Sequence, residues 1–531
     1  MWSGIDNPAR WVLPAVLAEQ AAVRPDAVWF STTDGEALTW RQAAEDVDRA
    51  AGFLASLGVA RGDRVAVFLP NGTAFLRAWL GLGRLGATAV LLNTELRGAF
   101  LRHQLVNSEV ELAVVDETLL PAMLAVADEA PQLRRIAIVG RGPEAGIGRL
   151  EAIDWAGWRA AAPFTGGYPK GHEIACIMYT SGTSGPAKGV LMPHAHCALY
   201  GIGAAEAIGL SPDDRYYITL PLFHANGLLM QLAATMIAGM PAVVRGKFSA
   251  SAWLEDVRRH DITVTNSLGA VAAYIVAQPP TPRDRDHRLR AILSAPNLPE
   301  HEAAFRDRFG VRDVISGFGM TEVNIPVWGR VGHRLKGAGW VYRKHFDVVV
   351  ADPETDAPLP PGQVGEILVR PKTPWGFMQG YYRMPKETVE AWRNLWFHTG
   401  DAGTLDEQDV LTFVDRLKDR IRRRGENISA SEVEAAIGKF PGISELAVYA
   451  VPSDIPGGED ELMVAVVARQ GEVIDLAALA GFADEVVPRF ARPRYFEIVE
   501  SLPKTATDKV QRAVLRKRGM AGAWDREGGK R

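Results

Sequence analysis

Tyr179-Thr180-Ser181-Gly182-Thr183-Ser184-Gly185-Pro186-Ala187-Lys188-Gly189-Val190 follows directly on an apolar run, Ile174-Ala175-Cys176-Ile177-Met178, that reads as a buried strand. A strand running into a glycine loop is a place where backbone N–H groups can converge on an anion with no Cβ in the way. The hydroxyls of Thr180, Ser181, Thr183 and Ser184 add donors, and Lys188 adds a compact positive charge. Together they describe a cradle for a polyphosphate. It is not the common P-loop, which needs Gly-Lys-Ser/Thr, because Lys188 stands between Ala187 and Gly189.

Outward from this loop the chain alternates helical and strand patterns. A helix opens at Leu38-Thr39-Trp40 with Thr39 as N-cap and runs past Leu54. Arg64–Leu69 reads as a strand stopped by Pro70-Asn71-Gly72, a helix through Phe75 and Trp79 ends at Gly86, and Ala89–Leu92 is the next strand. The rhythm returns beyond the loop at Tyr216–Leu220 and Ala242–Val244, and predicts parallel sheets covered by helices. Strands dominate from Phe346 to Phe413, a β-rich part. The charged run Asp415-Arg416-Leu417-Lys418-Asp419-Arg420 then separates two cores, where a hinge is expected. A compact α+β unit follows, with a helix from Glu432 to Lys439 and strands near Glu445–Val451 and Leu462–Ala468.

Composition narrows the functional classes. With 531 residues the chain is long enough for two or more cores. A net charge of −4 lacks the basic face that nucleic-acid binding requires. Two cysteines, Cys176 and Cys197, make no disulfide framework or metal spacing, which fits a reducing cytoplasm. No apolar run reaches the roughly 18 residues of a membrane span, and the N-terminus lacks the pattern of a signal peptide.

Further motifs carry chemistry. In Ser316-Gly317-Phe318-Gly319-Met320-Thr321-Glu322, the glycines permit close approach to a planar ring on which Phe318 can stack. Thr321 offers a hydroxyl to phosphate and Glu322 a hard oxygen for Mg²⁺. Trp396-Phe397-His398-Thr399-Gly400-Asp401 puts a carboxylate on a turn, able to accept two ribose hydroxyls. After the charged run, Arg422-Arg423-Arg424-Gly425-Glu426 combines phosphate-binding charge with a glycine that admits a thin chain such as pantetheine. A helix capped by Ser429 or Ser431 follows. Pro221-Leu222-Phe223-His224-Ala225-Asn226-Gly227 and Leu502-Pro503-Lys504-Thr505-Ala506-Thr507-Asp508-Lys509-Val510 complete the set.

In this order and over essentially the whole chain, these motifs resemble those of the adenylate-forming (ANL) superfamily of acyl-CoA synthetases, luciferases and adenylation domains. The stretches Thr263–Ala270, Ala277–Pro280 and Asp286–Arg290 look most like the crotonobetaine/carnitine-CoA ligase branch. The resemblance implies an α/β fold with a β-rich subdomain: a large layered N-terminal domain (1–414), a hinge (415–419) pivoting at Lys418, and a small mobile C-terminal domain (420–531). It implies ATP, Mg²⁺ and CoA as reactants, and a carboxylic acid that is adenylated and then passed to the thiol. It assigns Thr180, Ser181, Gly182, Thr183, Ser184, Gly185, Lys188, Ala295, Pro296, Gly317, Phe318, Gly319, Met320, Asp401 and Arg416 to the nucleotide. It assigns Glu322 to the metal, and Lys509, Thr321, Glu322 and His224 to the chemistry, His224 as a gate between acyl and thiol channels. Arg424, Gly425 and Glu426 fall on the thiol tunnel.

The acyl pocket is expected near His224, Leu268, Gly269, Ala270, Ser294, Ala295, Gly317, Met320 and Asn324. Several of these are small, which leaves volume for a bulky, largely apolar acid. One departure stands out: the family commonly has glycine immediately before the catalytic lysine, and here Asp508 precedes Lys509. A carboxylate there restricts the backbone and opposes an anionic substrate, so a weakened or specialised adenylation step is expected. The alternatives are an enzyme that thioesterifies an adenylate supplied by a separate adenylating enzyme, an acyl-AMP ligase, and a non-catalytic nucleotide-binding protein.

Overall fold

The computed structural model describes residues 1–142, 147–180, 186–295, 297–416, 421–454, 458–504 and 510–530. Two largely parallel sheets form the body of the N-terminal part. The eight-stranded one runs Gly380–Tyr381, Lys188–Pro193, Ile174–Thr180, Thr88–Leu91, Arg64–Phe68, Leu112–Asp116, Arg135–Val139, Glu151–Asp154. The seven-stranded one runs Asp313–Ile315, Ala291–Ala295, Val264–Leu268, Tyr216–Ile218, Ala242–Val244, Val28–Thr32, Ala37–Thr39. Helices Thr73–Leu85 and His194–Ile208 are apolar and buried nearly all round. A helix without a solvent face is one covered on every side, as expected in a multilayered core. The helix Trp40–Ser56 starts as the sequence predicts: Thr39 Oγ1 accepts from Gln42 N, and Gln42 returns the bond to Thr39 N.

A third, seven-stranded antiparallel sheet gathers Gly317–Met320, Asn324–Trp328, Gly339–Val341, Val410–Arg416, Phe397–Leu405, Gly365–Pro371 and Phe346–Ala351. This is the expected β-rich part. Its strand Val410–Arg416 runs through Asp415 and Arg416, because both pair with the neighbouring strand at Ala402 and Asp401. The expected hinge therefore begins inside a strand rather than in a loop, and Lys418 lies outside the described residues.

The C-terminal part starts with the hairpin Ile421–Arg423 and Glu426–Ile428, then the helix Ala430–Ile437, capped by Ser429. A five-stranded sheet built on Ile443–Val451, Glu461–Ala468 and Tyr495–Ile498 completes it. Its face packs on the N-terminal part: Leu101 and Leu105 share one buried apolar cluster with Val433, Ala480 and Val487. This packing brings the Gly425 hairpin over the edge of the parallel sheets, where their strands end.

Candidate active site

The antiparallel pairing of Ile174–Thr180 with Lys188–Pro193 sets Thr180 opposite Lys188. The two strands thus hold the base of the glycine loop, whose residues Ser181, Gly182, Thr183, Ser184 and Gly185 lie outside the described residues. Thr180 Oγ1 donates to Glu322 Oε1 at 3.0 Å, and the Tyr381 hydroxyl donates to the same oxygen at 3.0 Å. Lys188 Nζ stands 4.8 Å from the centre of the Tyr381 ring. Loop base, lysine and acidic residue are therefore one cluster. Glu322 is 4% exposed, and its Oε2 carries no hydrogen bond among the described residues. A buried carboxylate with one oxygen fixed and the other open suits a hard cation, so the donor set fits Mg²⁺. Tyr381 is a site residue the sequence did not single out, since nothing local marks a tyrosine that reaches a glutamate 59 positions away.

Glu322 is aimed by the hairpin in whose turn it lies. A Cβ on Gly319 would sit 2.2 Å from Asn324 O, so only glycine permits this close pairing. The Tyr200 hydroxyl donates to Met320 O at 2.7 Å, and His196 Nε2 lies 3.1 Å from Thr321 O. Burial pushes the His196 pKa down to about 3, so the ring is neutral and donates to that carbonyl. Phe318 stacks on Phe413, with ring centres 6.4 Å apart and planes at 28°. Phe318 is mostly buried while Phe413 is exposed, so these two rings together present an aromatic edge.

Asp401 is buried beside these strands, paired in register with Arg416, whose side chain lies outside what is described. Its turn is held by Glu366, which accepts from Gly400 N at 3.0 Å and meets His398 Nδ1 at 3.0 Å. Thr399 Oγ1 donates to Ile367 O and accepts from Asp401 N.

The other half of the site joins the two parts of the chain. His224 Nε2 lies 2.7 Å from Glu426 Oε1, and Asn93 Nδ2 donates to the same oxygen at 2.9 Å. Gly425, at φ +83°, faces Leu268 so closely that an added Cβ would come within 2.6 Å of Leu268 Cδ1. Gly425 N donates to Glu459 Oε2 at 2.6 Å. Behind this hairpin Glu432 Oε1 accepts from Ala187 N, at the exit of the glycine loop, at 2.8 Å.

The structure corrects one expectation here. Of the arginine run, Arg423 is buried against Glu461 and donates to Phe490 O and Arg492 O, and Arg422 pairs with Glu459. These two brace the C-terminal part, and of the three only Arg424 is exposed. Asn324, expected near the acyl pocket, is 1% exposed in a left-handed conformation, φ +66°. Its amide donates to His196 O and accepts from Ile325 N, so it shapes the hairpin. Leu268 and Ala295 sit opposite each other at neighbouring strand ends, Ser294 is fully buried beneath them, and Gly269 and Ala270 start the next helix. Pro296 and Lys509 lie outside the described residues.

A parallel-sheet core with a glycine loop beside a buried carboxylate, roofed by a second unit, defines an adenylate-forming ligase. Residues 17–382 match the AMP-binding enzyme family and residues 432–509 the AMP-binding enzyme C-terminal domain. The crotonobetaine/carnitine–CoA ligase of Salmonella heidelberg is 31% identical over 499 residues, 92% of this chain and 95% of that protein. Among solved structures, a double mutant of o-succinylbenzoate CoA synthetase (MenE) from Bacillus subtilis, bound to its product analogue OSB-NCoA, aligns with a TM-score of 0.81 at 25% identity. It covers 96% of this chain and 99% of that one. ATP-bound MatB from Rhodopseudomonas palustris aligns with a TM-score of 0.69 at 26% identity, over 96% and 99% of the two chains. The chain belongs to the AMP-binding enzyme family of the adenylate-forming superfamily and is similar to its crotonobetaine/carnitine-CoA ligases. It is an ATP-dependent acyl-CoA synthetase that uses ATP, Mg²⁺ and CoA.

Proposed function

We propose that this ligase activates a bulky, largely apolar carboxylic acid in two steps at one site, and that the domain arrangement described above serves the second step. The observation that carries this reading is the Gly425–Glu426 turn seated on His224 and Leu268. A glycine at that contact leaves the narrowest possible gap between the two parts, the shape a pantetheine arm needs.

In the first step the substrate carboxylate attacks the α-phosphorus of ATP and pyrophosphate leaves. The Ser181–Gly185 loop and Lys188 hold the phosphates, Phe318 and Phe413 flank the base, and Asp401 with Arg416 takes the ribose. Glu322 holds Mg²⁺, which neutralises charge on the phosphates when bound. Lys509 stabilises the charge that shifts between carboxylate and phosphate. In the second step residues 420–531 turn about Lys418, so that Arg424, Gly425 and Glu426 replace the Lys509 loop. His224, tethered to Glu426, opens the way from thiol to acyl carbonyl; the thiol adds, and AMP leaves. Residues 1–414 act as the adenylation core. No helix among the described residues is long and apolar enough to cross a membrane, and Cys176 and Cys197 are buried free thiols. A cytoplasmic ligase is part of this reading.

A second reading rests on Asp508: the enzyme would thioesterify an adenylate supplied by a partner. Mass spectrometry of products separates the two. Purified protein with Mg²⁺, CoA and a panel of bulky acids is supplied with free acid plus ATP, or with preformed acyl adenylate. Acyl-CoA in both arms establishes the complete ligase. Product only from the adenylate arm selects the second reading, and none from either arm refutes both.

A further inference from the structure

Two residues beyond His224 the chain enters a π-helical turn, Asn226–Leu232, a distortion found mostly at functional sites. The wide turn brings Gln231 beneath Asn226, and Gln231 Nε2 donates to Asn226 Oδ1 at 3.2 Å. The same oxygen accepts from Asn266 Nδ2 at 2.7 Å. Asn266 Oδ1 in turn accepts from the Tyr216 hydroxyl at 2.6 Å. Tyr216, Asn266 and Gln231 are buried, whereas Asn226 is only partly covered.

This chain of bonds has a direction. Burial raises the Tyr216 pKa far above the phenol value, so its hydroxyl keeps its proton. Asn266 Oδ1 gives that buried proton an acceptor; with the amide reversed it would have none, which a buried hydroxyl strongly disfavours. The Asn266 amide nitrogen therefore points to Asn226, the Asn226 oxygen is taken twice, and the Asn226 Nδ2 is turned to the open side. That nitrogen has no acceptor among the described residues. Its position is set by its neighbours. His224, two residues before it, meets Glu426, and Leu268, two residues beyond Asn266, faces Gly425. Through its bond to Asn266, Asn226 thus ties the segment that carries His224 to the strand that carries Leu268, the two walls assigned to the acyl group.

We propose that Asn226 Nδ2 is a specificity-determining donor that selects acids carrying a hydrogen-bond-accepting oxygen, a ketone, ester or ether, on an otherwise apolar body. This deepens the function proposed above and rests on its placement of the acyl group between His224 and Leu268. A pocket that holds an oriented donor discriminates against the analogue that leaves it unmatched.

The test uses matched pairs of acids: cyclohexanecarboxylate and its ring ketone, benzoate and its acetyl derivative, a straight-chain acid and its oxo derivative. Pyrophosphate release with ATP and Mg²⁺ gives kcat/KM for each, with wild type and Asn226→Asp. The aspartate keeps the oxygen that Asn266 and Gln231 require and puts an acceptor oxygen in place of the outward donor. Both members of a pair carry the same carboxylate, so any charge effect of the aspartate cancels in their ratio. Wild type is expected to favour the oxygenated member of at least one pair about tenfold, one neutral hydrogen bond. In Asn226→Asp that ratio should collapse to near one or invert. A wild type that prefers no oxygenated member overturns the inference without recourse to the variant. So does a preference that survives Asn226→Asp. Release of pyrophosphate with no acid at all would instead sink the proposed function, and this inference with it.

Discussion

Replacing Gly425 by alanine separates the two half-reactions. The residue sits at φ +83°, a left-handed conformation that costs an L-residue about 1–2 kcal/mol. That cost belongs to the hairpin itself, and under the proposed turning of residues 420–531 it is shared by both domain arrangements. The contact with Leu268 is not shared. An added methyl would lie 2.6 Å from Leu268 Cδ1, about 1 Å inside ordinary carbon contact. Leu268 is a flexible side chain, and moving it off its rotamer costs about 1 kcal/mol, a roughly fivefold factor. Gly425→Ala should therefore slow acyl-CoA formation from preformed acyl-AMP about fivefold more than it slows pyrophosphate release from acid and ATP. Single-turnover quench with chromatography of the thioester reads the first rate, and a coupled phosphate assay reads the second. Trimming the neighbour should relieve the clash, so Leu268→Ala in the Gly425→Ala background recovers most of the lost thioester rate relative to Leu268→Ala alone. Equal losses in the two half-reactions would refute the reasoning, as would strict additivity in the double-mutant cycle.

Three other outcomes follow from the same contacts. Burial lifts the Glu432 pKa from 4.5 to about 7, against the opposing effect of the hydrogen bond from Ala187 N. The arrangement that buries it is thus fully available below pH 4.5 and weakens as pH rises through about 7. The wild-type thioester rate divided by that of Glu432→Gln should fall across this window; a flat ratio would count against the contact. Tyr381→Phe removes one of two donors to Glu322 Oε1. About 1 kcal/mol, or fivefold in acyl-AMP formation, should go with it, together with a higher Mg²⁺ requirement. A Mg²⁺ titration of pyrophosphate release checks this. Asp508→Gly should raise the rate of acyl-AMP formation, and an unchanged rate would remove the reason to suspect the first half-reaction.

The layered fold was legible because its signals are local. Thr39 caps the Trp40–Ser56 helix from three residues away, and the Ile174–Thr180 strand is an unbroken apolar run. Alternation of such runs implies parallel sheets whatever packs on them. The glycine loop, the acidic motif and Asp401 were legible for the same reason, since each is a short segment whose residue types serve one chemistry. Glycine at 319 is forced by a hairpin partner five residues on, at Asn324, and so leaves a trace in the sequence.

Other features had no such trace. Tyr381 reaches Glu322, Asn93 and His224 both reach Glu426, and Glu432 reaches Ala187. Each of these pairs joins segments far apart in the chain, and nothing in the sequence around either partner encodes the other. The arginine run shows the converse failure. Arg422, Arg423 and Arg424 look alike in sequence, yet the pleat of the Ile421–Arg423 strand and the position of Glu459 and Glu461 decide that two are structural and one faces solvent. Asn324 turns its amide back to the chain from a left-handed conformation, a contact its sequence neighbours do not encode. The sequence by itself determined the class of fold, the order of the motifs and the chemistry each can perform. Which side chains meet across the junction only the tertiary structure decided. Those contacts depend on how two separately encoded units pack, a property that belongs to their surfaces and to no single stretch of chain.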